Sequence, residues 1–171
     1  MVVVLIGLIA AFAVPKLDFT RYRLNGATRG VVSLLNRAQR LAVTDQNNVN
    51  VLFDAAHSAV ILHEDMDNDN VIDNGERSRS YPIGEGAVFG LGGTLSPRAY
   101  SPAPVTFTRR LNGMPEVIFR RDGSASEAGA IYVTSTRSAN NAADTRSIEV
   151  IAATGRVEWY RYTGTAWERK F

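Results

Sequence analysis

The residues best placed to do chemistry are six oxygen donors in one short run, Asp65-Met-Asp-Asn-Asp-Asn-Val-Ile-Asp-Asn-Gly-Glu76. Asp65, Asp67, Asp69, the carbonyl of Val71, Asp73 and Glu76 fall at positions 1, 3, 5, 7, 9 and 12 of a calcium loop. Hard oxygen ligands at alternate positions can wrap one cation within a short segment. Asn70 stands where such a loop usually has glycine, and asparagine tolerates the left-handed backbone better than most residues. The competing reading is an acidic, solvated hairpin loop, because Asp, Asn and Gly are ordinary turn formers. Without an ion, five carboxylates in so short a span repel one another.

A second group is basic. Arg156, Arg161, Arg169 and Lys170 lie among Tyr160, Tyr162 and Trp167 near the end of the chain, a mixture that single-stranded nucleic acid can use. Glu158 sits two residues after Arg156 and opposes a phosphate. Alternation along a strand also sends Arg161 to the face opposite Tyr160 and Tyr162. The expectation is a solvated strand edge, with nucleic acid not a partner.

Little in the chain points to catalysis. His57 and His63 are the only histidines, and neither stands at triad or metal-ligand spacing. A histidine in a hairpin is expected at the surface. There is no Gly-x-Ser-x-Gly elbow and no phosphate loop with its lysine. Gly90-Leu-Gly-Gly93 reads as a flexible turn. The absence of cysteine excludes a disulfide scaffold, a thiolate zinc site and a cysteine nucleophile. The net charge of +2 is too small to demand an acidic partner. The chain is expected not to be an enzyme.

These groups must be carried by the elements of a 171-residue chain, room for one domain and an appendage. Residues 1–14 contain no charged or polar side chain. As a helix they would reach about 21 Å, short of a hydrocarbon core of about 30 Å. A secretory signal peptide needs a basic start and a small-residue cleavage site. Nothing basic precedes Val2, and the run ends at Pro15-Lys16. A buried core helix would carry some polar positions.

Pro15 should kink or loosen the helix. Beyond it, Leu17, Leu24, Val31, Leu35, Ala38 and Ala42 recur at helical spacing, widened by Ala27, Leu34 and Leu41. This predicts an amphipathic helix to about Thr44, ended by Asp45-Gln-Asn-Asn48. Gly26 and Gly30 inside it each cost about 1 kcal/mol relative to Ala, and close packing of a strand or helix is the expected reason.

From Val49 the pattern turns to short strands. Residues 49–53 and 59–63 read as a hairpin. Further strands are predicted at 79–83, 87–91, 105–109, 117–120, 131–134, 147–152 and 157–162, with a short one at 167–170. Tight turns are expected at 121–124 and 153–155, and residues 135–145 read as a polar loop. The fold class is α+β, an antiparallel β-rich domain with the helix over one face.

Residues 1–15 resemble the class III signal and helix of type IV prepilins. Phe119-Arg-Arg-Asp-Gly123, Gly129-Ala-Ile-Tyr-Val133, Arg146-Ser-Ile-Glu-Val-Ile-Ala-Ala-Thr-Gly-Arg-Val157 and the acidic loop resemble the GspH/FimT pseudopilin domain. The resemblance implies a pilin-like fold in three parts: 1–15 the transmembrane half of the first helix, 16–46 its amphipathic half, and 47–171 a periplasmic β-rich head. It implies that the family's cleavage glycine, methylated first residue and assembly glutamate lie upstream, so that Met1 is an internal methionine.

Val2, Val3, Val4, Leu5, Ile6, Leu8, Ile9, Phe12, Val14 and Pro15 would hold the subunit in the inner membrane. They would then pack against other pilins or pseudopilins. Prepilin peptidase and a secreted cargo are the further implied partners. Lys16, Arg21 and Arg23 follow the anchor, where the positive-inside rule alone would place a cytoplasmic flank, so the periplasmic head rests on the resemblance. The resemblance also makes Gly26 and Gly30 a weak point that stretches during assembly. Expected activity is therefore structural, in a type II secretion pseudopilus or a type IV pilus. A DNA-binding minor pilin and a secreted calcium-binding domain are the alternatives, and calcium is the one cofactor considered. FimT-like members that take up DNA carry Gly-Arg-x-Arg near the C-terminus, where this chain has Gly155-Arg156-Val157-Glu158.

Overall fold

The stripe of apolar residues at helical spacing produces one long helix, α1 (Thr20–Asp45), in a computed structural model that describes residues 19–92, 100–137 and 142–170. Its buried residues are Leu24, Ala27, Thr28, Val31, Leu35, Ala38 and Ala42, spaced by three and four along one face. Leu34 and Leu41 pack at the margin of that face, half-buried. The Thr28 hydroxyl, buried within the stripe, donates to the Leu24 carbonyl at 2.7 Å. The helix stops at Gln46, which adopts the left-handed conformation (φ 59°) and donates from Nε2 to the Val43 carbonyl at 2.6 Å.

Among the described residues, no strand or helix packs closely on Gly26 or Gly30. Both are exposed, and a Cβ on either would meet nothing within 4 Å. Their side of the helix faces away from the sheets, so none of the described strands demands glycine there.

The strands form two antiparallel sheets. The first contains β1 (Asn48–Asp54), β2 (Ala59–Asp65), β3 (Arg77–Pro82), β5 (Arg110–Leu111) and β6 (Met114–Phe119), in the order β3-β2-β1-β6-β5. The second contains β4 (Ala87–Phe89), β7 (Gly129–Ser135), β8 (Arg146–Val150), β9 (Val157–Tyr162) and β10 (Trp167–Lys170), in the order β10-β9-β8-β7-β4. Helix α1 lies against strands of both. Phe53 of β1 stacks on Phe107 with ring centroids 5.5 Å apart, and meets Phe89 of β4 edge-on at 6.0 Å. Aromatic packing thus joins the two sheets beneath the helix.

The predicted strand at 105–109 shrinks to an isolated bridge between Val105 and Ile131. Its later backbone has a different partner: the Glu127 carboxylate accepts the N–H groups of Thr108 at 2.9 Å and Arg109 at 3.0 Å. The short β5–β6 hairpin turns through Asn112 (φ 50°) and Gly113 (φ 78°), an Asn-Gly pair suited to a two-residue turn.

One helix side chain ties the sheets at their far end. Gln39 Nε2 donates to the Gly123 carbonyl at 2.8 Å and the Thr154 carbonyl at 2.7 Å. The first acceptor lies in the turn after β6 and the second in the turn between β8 and β9. Gly155 (φ 61°) fits beneath this clamp because a Cβ there would strike the Gly123 carbonyl.

Among the described residues no helix is long and apolar enough to cross a membrane. The apolar run 1–14, Pro15 and Leu17 lie outside the described residues.

Candidate functional site

Residues 65–76 connect β2 to β3 and fold back over the outer face of the first sheet. Register places Asn50, His63 and Ile118 on that face, with Leu52, Ile61 and Glu116 one step along. Asn50 Nδ2 donates to Asn70 Oδ1 at 3.0 Å, and Asn70 Nδ2 approaches Glu116 Oε1 at 3.5 Å. The polar underside of the loop is therefore built partly from strands far away in sequence.

Two asparagines carry the reversals of the loop, Asn68 at φ 64° and Asn70 at φ 63°. Asp65 is fully buried and accepts the N–H of Asp69 at 3.2 Å and of Asn70 at 3.0 Å. Asp69 Oδ1 accepts the Val71 N–H at 2.7 Å. Glu76 turns inward and accepts the N–H groups of Met66 at 2.8 Å and Asp73 at 3.1 Å.

The loop gathers its carboxylates into two overlapping triads. Oxygens of Asp65, Asp67 and Glu76 lie within 4.8 Å of one another, as do those of Asp67, Asp69 and Asp73. Asp67 belongs to both. The remaining predicted donor, the Val71 carbonyl, takes a hydrogen bond from His63 Nε2 at 3.1 Å, and the same nitrogen lies 3.1 Å from Glu76 Oε2. A carbonyl only accepts, so Nε2 bears the proton. His63 is completely buried, which corrects the expectation of a surface residue. His57 is the exposed one, with Nδ1 2.6 Å from Asp54 Oδ2.

The electrostatics of the loop are uneven. Burial pushes the Asp65 carboxyl above its ordinary range and Glu76 adds to this, while the Asn70 N–H opposes it. Burial also raises Glu116, against the pull of Arg109, whose Nε is 3.3 Å away. Glu76 moves the other way, held low by the N–H groups of Asp73 and Met66. Carboxylates kept this close to one another form a donor set of hard oxygens, the kind that suits a divalent cation of the calcium class. A bound cation would reverse the upward pressure on Asp65.

The basic residues near the C-terminus do not converge. Register puts Glu158, Tyr160, Tyr162 and Arg169 on one face of the second sheet, and Arg161, Glu168 and Lys170 on the other. Glu158 Oε1 receives Arg156 at 2.9 Å and Arg169 at 2.8 Å. Glu168 Oε2 receives Arg161 at 3.2 Å and Lys170 at 2.9 Å. Each of the four predicted cations thus faces a carboxylate.

Sequence reasoning passed over Arg146, the largest fully buried side chain among the described residues. Burial, aided by the like charges of Arg161 and Arg21 and opposed by Asp144, pushes its guanidinium down to about 10. The only sequence signal was an arginine at the opening of a predicted strand.

No family model and no curated protein matches this chain by sequence. Solved structures do. The minor pseudopilin EpsH from the type 2 secretion system of Vibrio cholerae superposes with a TM-score of 0.55 at 8% identity, over 81% of this chain and 97% of that one. A crystal structure of the same minor pseudopilin gives 0.52 at 12% identity, over 83% of this chain and 97% of that one. The chain has the pseudopilin fold, one N-terminal helix packed on antiparallel sheets.

Proposed function

We propose that this chain is a minor pseudopilin, a structural subunit of a type II secretion pseudopilus. The observation carrying this reading is the fold it shares with EpsH over 97% of that protein's solved chain. The apolar run 1–14 supplies what such a subunit needs at its start, a lipid-soluble handle that later packs against equivalent helices. The head then stands in the periplasm and selects neighbouring subunits or cargo. The same reasoning covers a minor pilin of a type IV pilus, where the helix performs the same task.

The chain has no cysteine, so single introduced thiols report its contacts cleanly. Full-length chain carrying Leu5→Cys or Phe12→Cys is expected in the inner-membrane fraction, forming disulfide-linked products on oxidation with other pseudopilins that carry a cysteine introduced in the equivalent stretch of their own first helix. A freely soluble chain in which either introduced thiol resists modifying reagents until unfolding overturns the reading.

A second reading concerns the acidic loop. The two carboxylate triads sharing Asp67 favour a calcium ion there, held by Asp65, Asp67 and Glu76 with Asp69 and Asp73 at the rim. Its role would be structural, pinning the β2–β3 connection to the outer face of the first sheet.

A further inference from the structure

Arg146 opens β8 with no exposed surface. Its Nε donates to Asn25 Oδ1 at 2.9 Å, and its Nη1 lies 3.1 Å from the Ala143 carbonyl and 3.0 Å from the Thr145 carbonyl. All three acceptors are uncharged. Among the described residues no carboxylate comes within ion-pair distance of it, and its Nη2 is buried with no hydrogen-bond partner. Directly opposite in register stands Arg161 of β9, whose Nε is also buried without a partner. Like charges facing each other across a strand pair destabilise it.

A third guanidinium joins them from the first turn of α1. Arg21 is largely exposed and lies 3.9 Å from the buried Asp144. Arg21, Arg146 and Arg161 border one cavity of about 80 Å³, completed by Ala143, Tyr162 and Thr163. Three cations are set against Asp144 and Glu168, and Glu168 also serves Lys170 at 2.9 Å. Of the three, Arg146 is fully buried and bears the desolvation cost of its charge, while Arg161 and Arg21 are partly open to water. Two unpaired N–H donors on two of the lining side chains would both be satisfied by one acceptor group with several oxygens.

We propose that this cavity is an oxyanion site of the phosphate class, read by the guanidinium groups of Arg21, Arg146 and Arg161. Guanidinium forks match the oxygens of such an anion, and three of them arriving from different elements suit a tetrahedral group. The space is open to solvent and, at about 80 Å³ against about 10–15 Å³ for one water on the same measure, admits a small polyatomic anion. The anion is either free phosphate or the phosphate of a lipid headgroup. The site itself does not depend on the pseudopilin reading; only the lipid source does, because Arg21 follows the apolar run by six positions after Pro15.

The test is the melting temperature of the full-length chain in detergent. Inorganic phosphate and a short-chain phosphatidate are titrated separately at matched ionic strength, with sodium chloride and phosphatidylcholine as controls. Either ligand should give a saturable rise of about 3–6 °C at ten times its dissociation constant. A response to inorganic phosphate identifies the free ion as sufficient, and a response to phosphatidate alone identifies the headgroup. Arg21→Gln, at an exposed rim position, should weaken binding about 10-fold. Arg146→Met, which keeps length without charge, should abolish the rise; where that variant fails to fold, Arg21→Gln decides. No saturable rise with either ligand, or an undiminished rise in Arg21→Gln, overturns the proposal.

Discussion

Glu116 lies completely buried on β6, with Oε1 shared between Arg109 and Asn70 and Oε2 without a partner among the described residues. Burial raises its folded pKa above the ordinary 4.5. The folded state therefore binds this proton more tightly than the unfolded chain does. Stability attributable to Glu116 is greatest in acid and declines as pH rises through the raised folded value. Glu116→Gln removes that decline. Its melting temperature relative to the parent should climb as pH rises above the ordinary value of 4.5 and level off once the raised folded value is passed; parallel profiles would show that the charge is already compensated. The carboxylates of 65–76 were legible in sequence because their spacing is local. Glu116, Asn50 and His63 were not, since each acquires its role only when the loop folds back across three strands. Arg146 escaped for the same reason: Asn25 and Arg161 reach it from segments that only the fold brings together.

The end of the helix was readable almost to the residue and its start was not, because an apolar stripe repeating every three or four positions marks the helical period while the expected start at 16 lies outside the described residues and the described helix opens at Thr20. Most strands were legible too, with ends shifted by no more than three residues. Sheet membership was not, since alternation marks a strand and says nothing about its partners. The segment 105–109 looks like a strand in composition, yet the Glu127 carboxylate takes its backbone donors. Gly26 and Gly30 belong to this scale. As exposed helical positions with open space around them, each replaced by Ala should raise stability by about 1 kcal/mol, or about 2–4 °C in melting temperature. A fall in melting temperature would mean the backbone there needs glycine for a reason other than room. If the pseudopilin reading holds, the stabilised double variant should also assemble less readily, because a stiffer helix resists stretching.

For the whole molecule, the acidic loop offers a test of cooperativity. The loop covers one sheet and the helix spans both, so an ion bound at residues 65–76 should stabilise the entire unfolding transition rather than a local step. Millimolar calcium should raise the melting temperature by several degrees over chelator, and by much less in Asp67→Asn, which removes the carboxylate common to both triads. Identical melting in calcium and chelator removes the ion from the account.

The amide of Gln39 has a mechanical consequence. It grips the turn of one sheet and the turn of the other from a single point on α1. Traction applied along the helix axis would be delivered to both sheets simultaneously, so neither could shear away from its neighbour before the clamp gave. The two unsupported glycines lie upstream of that rivet, between it and the start of the helix. Compliance and rigidity are thereby separated along one rod: the leading section can yield while the trailing section drags the head as a block.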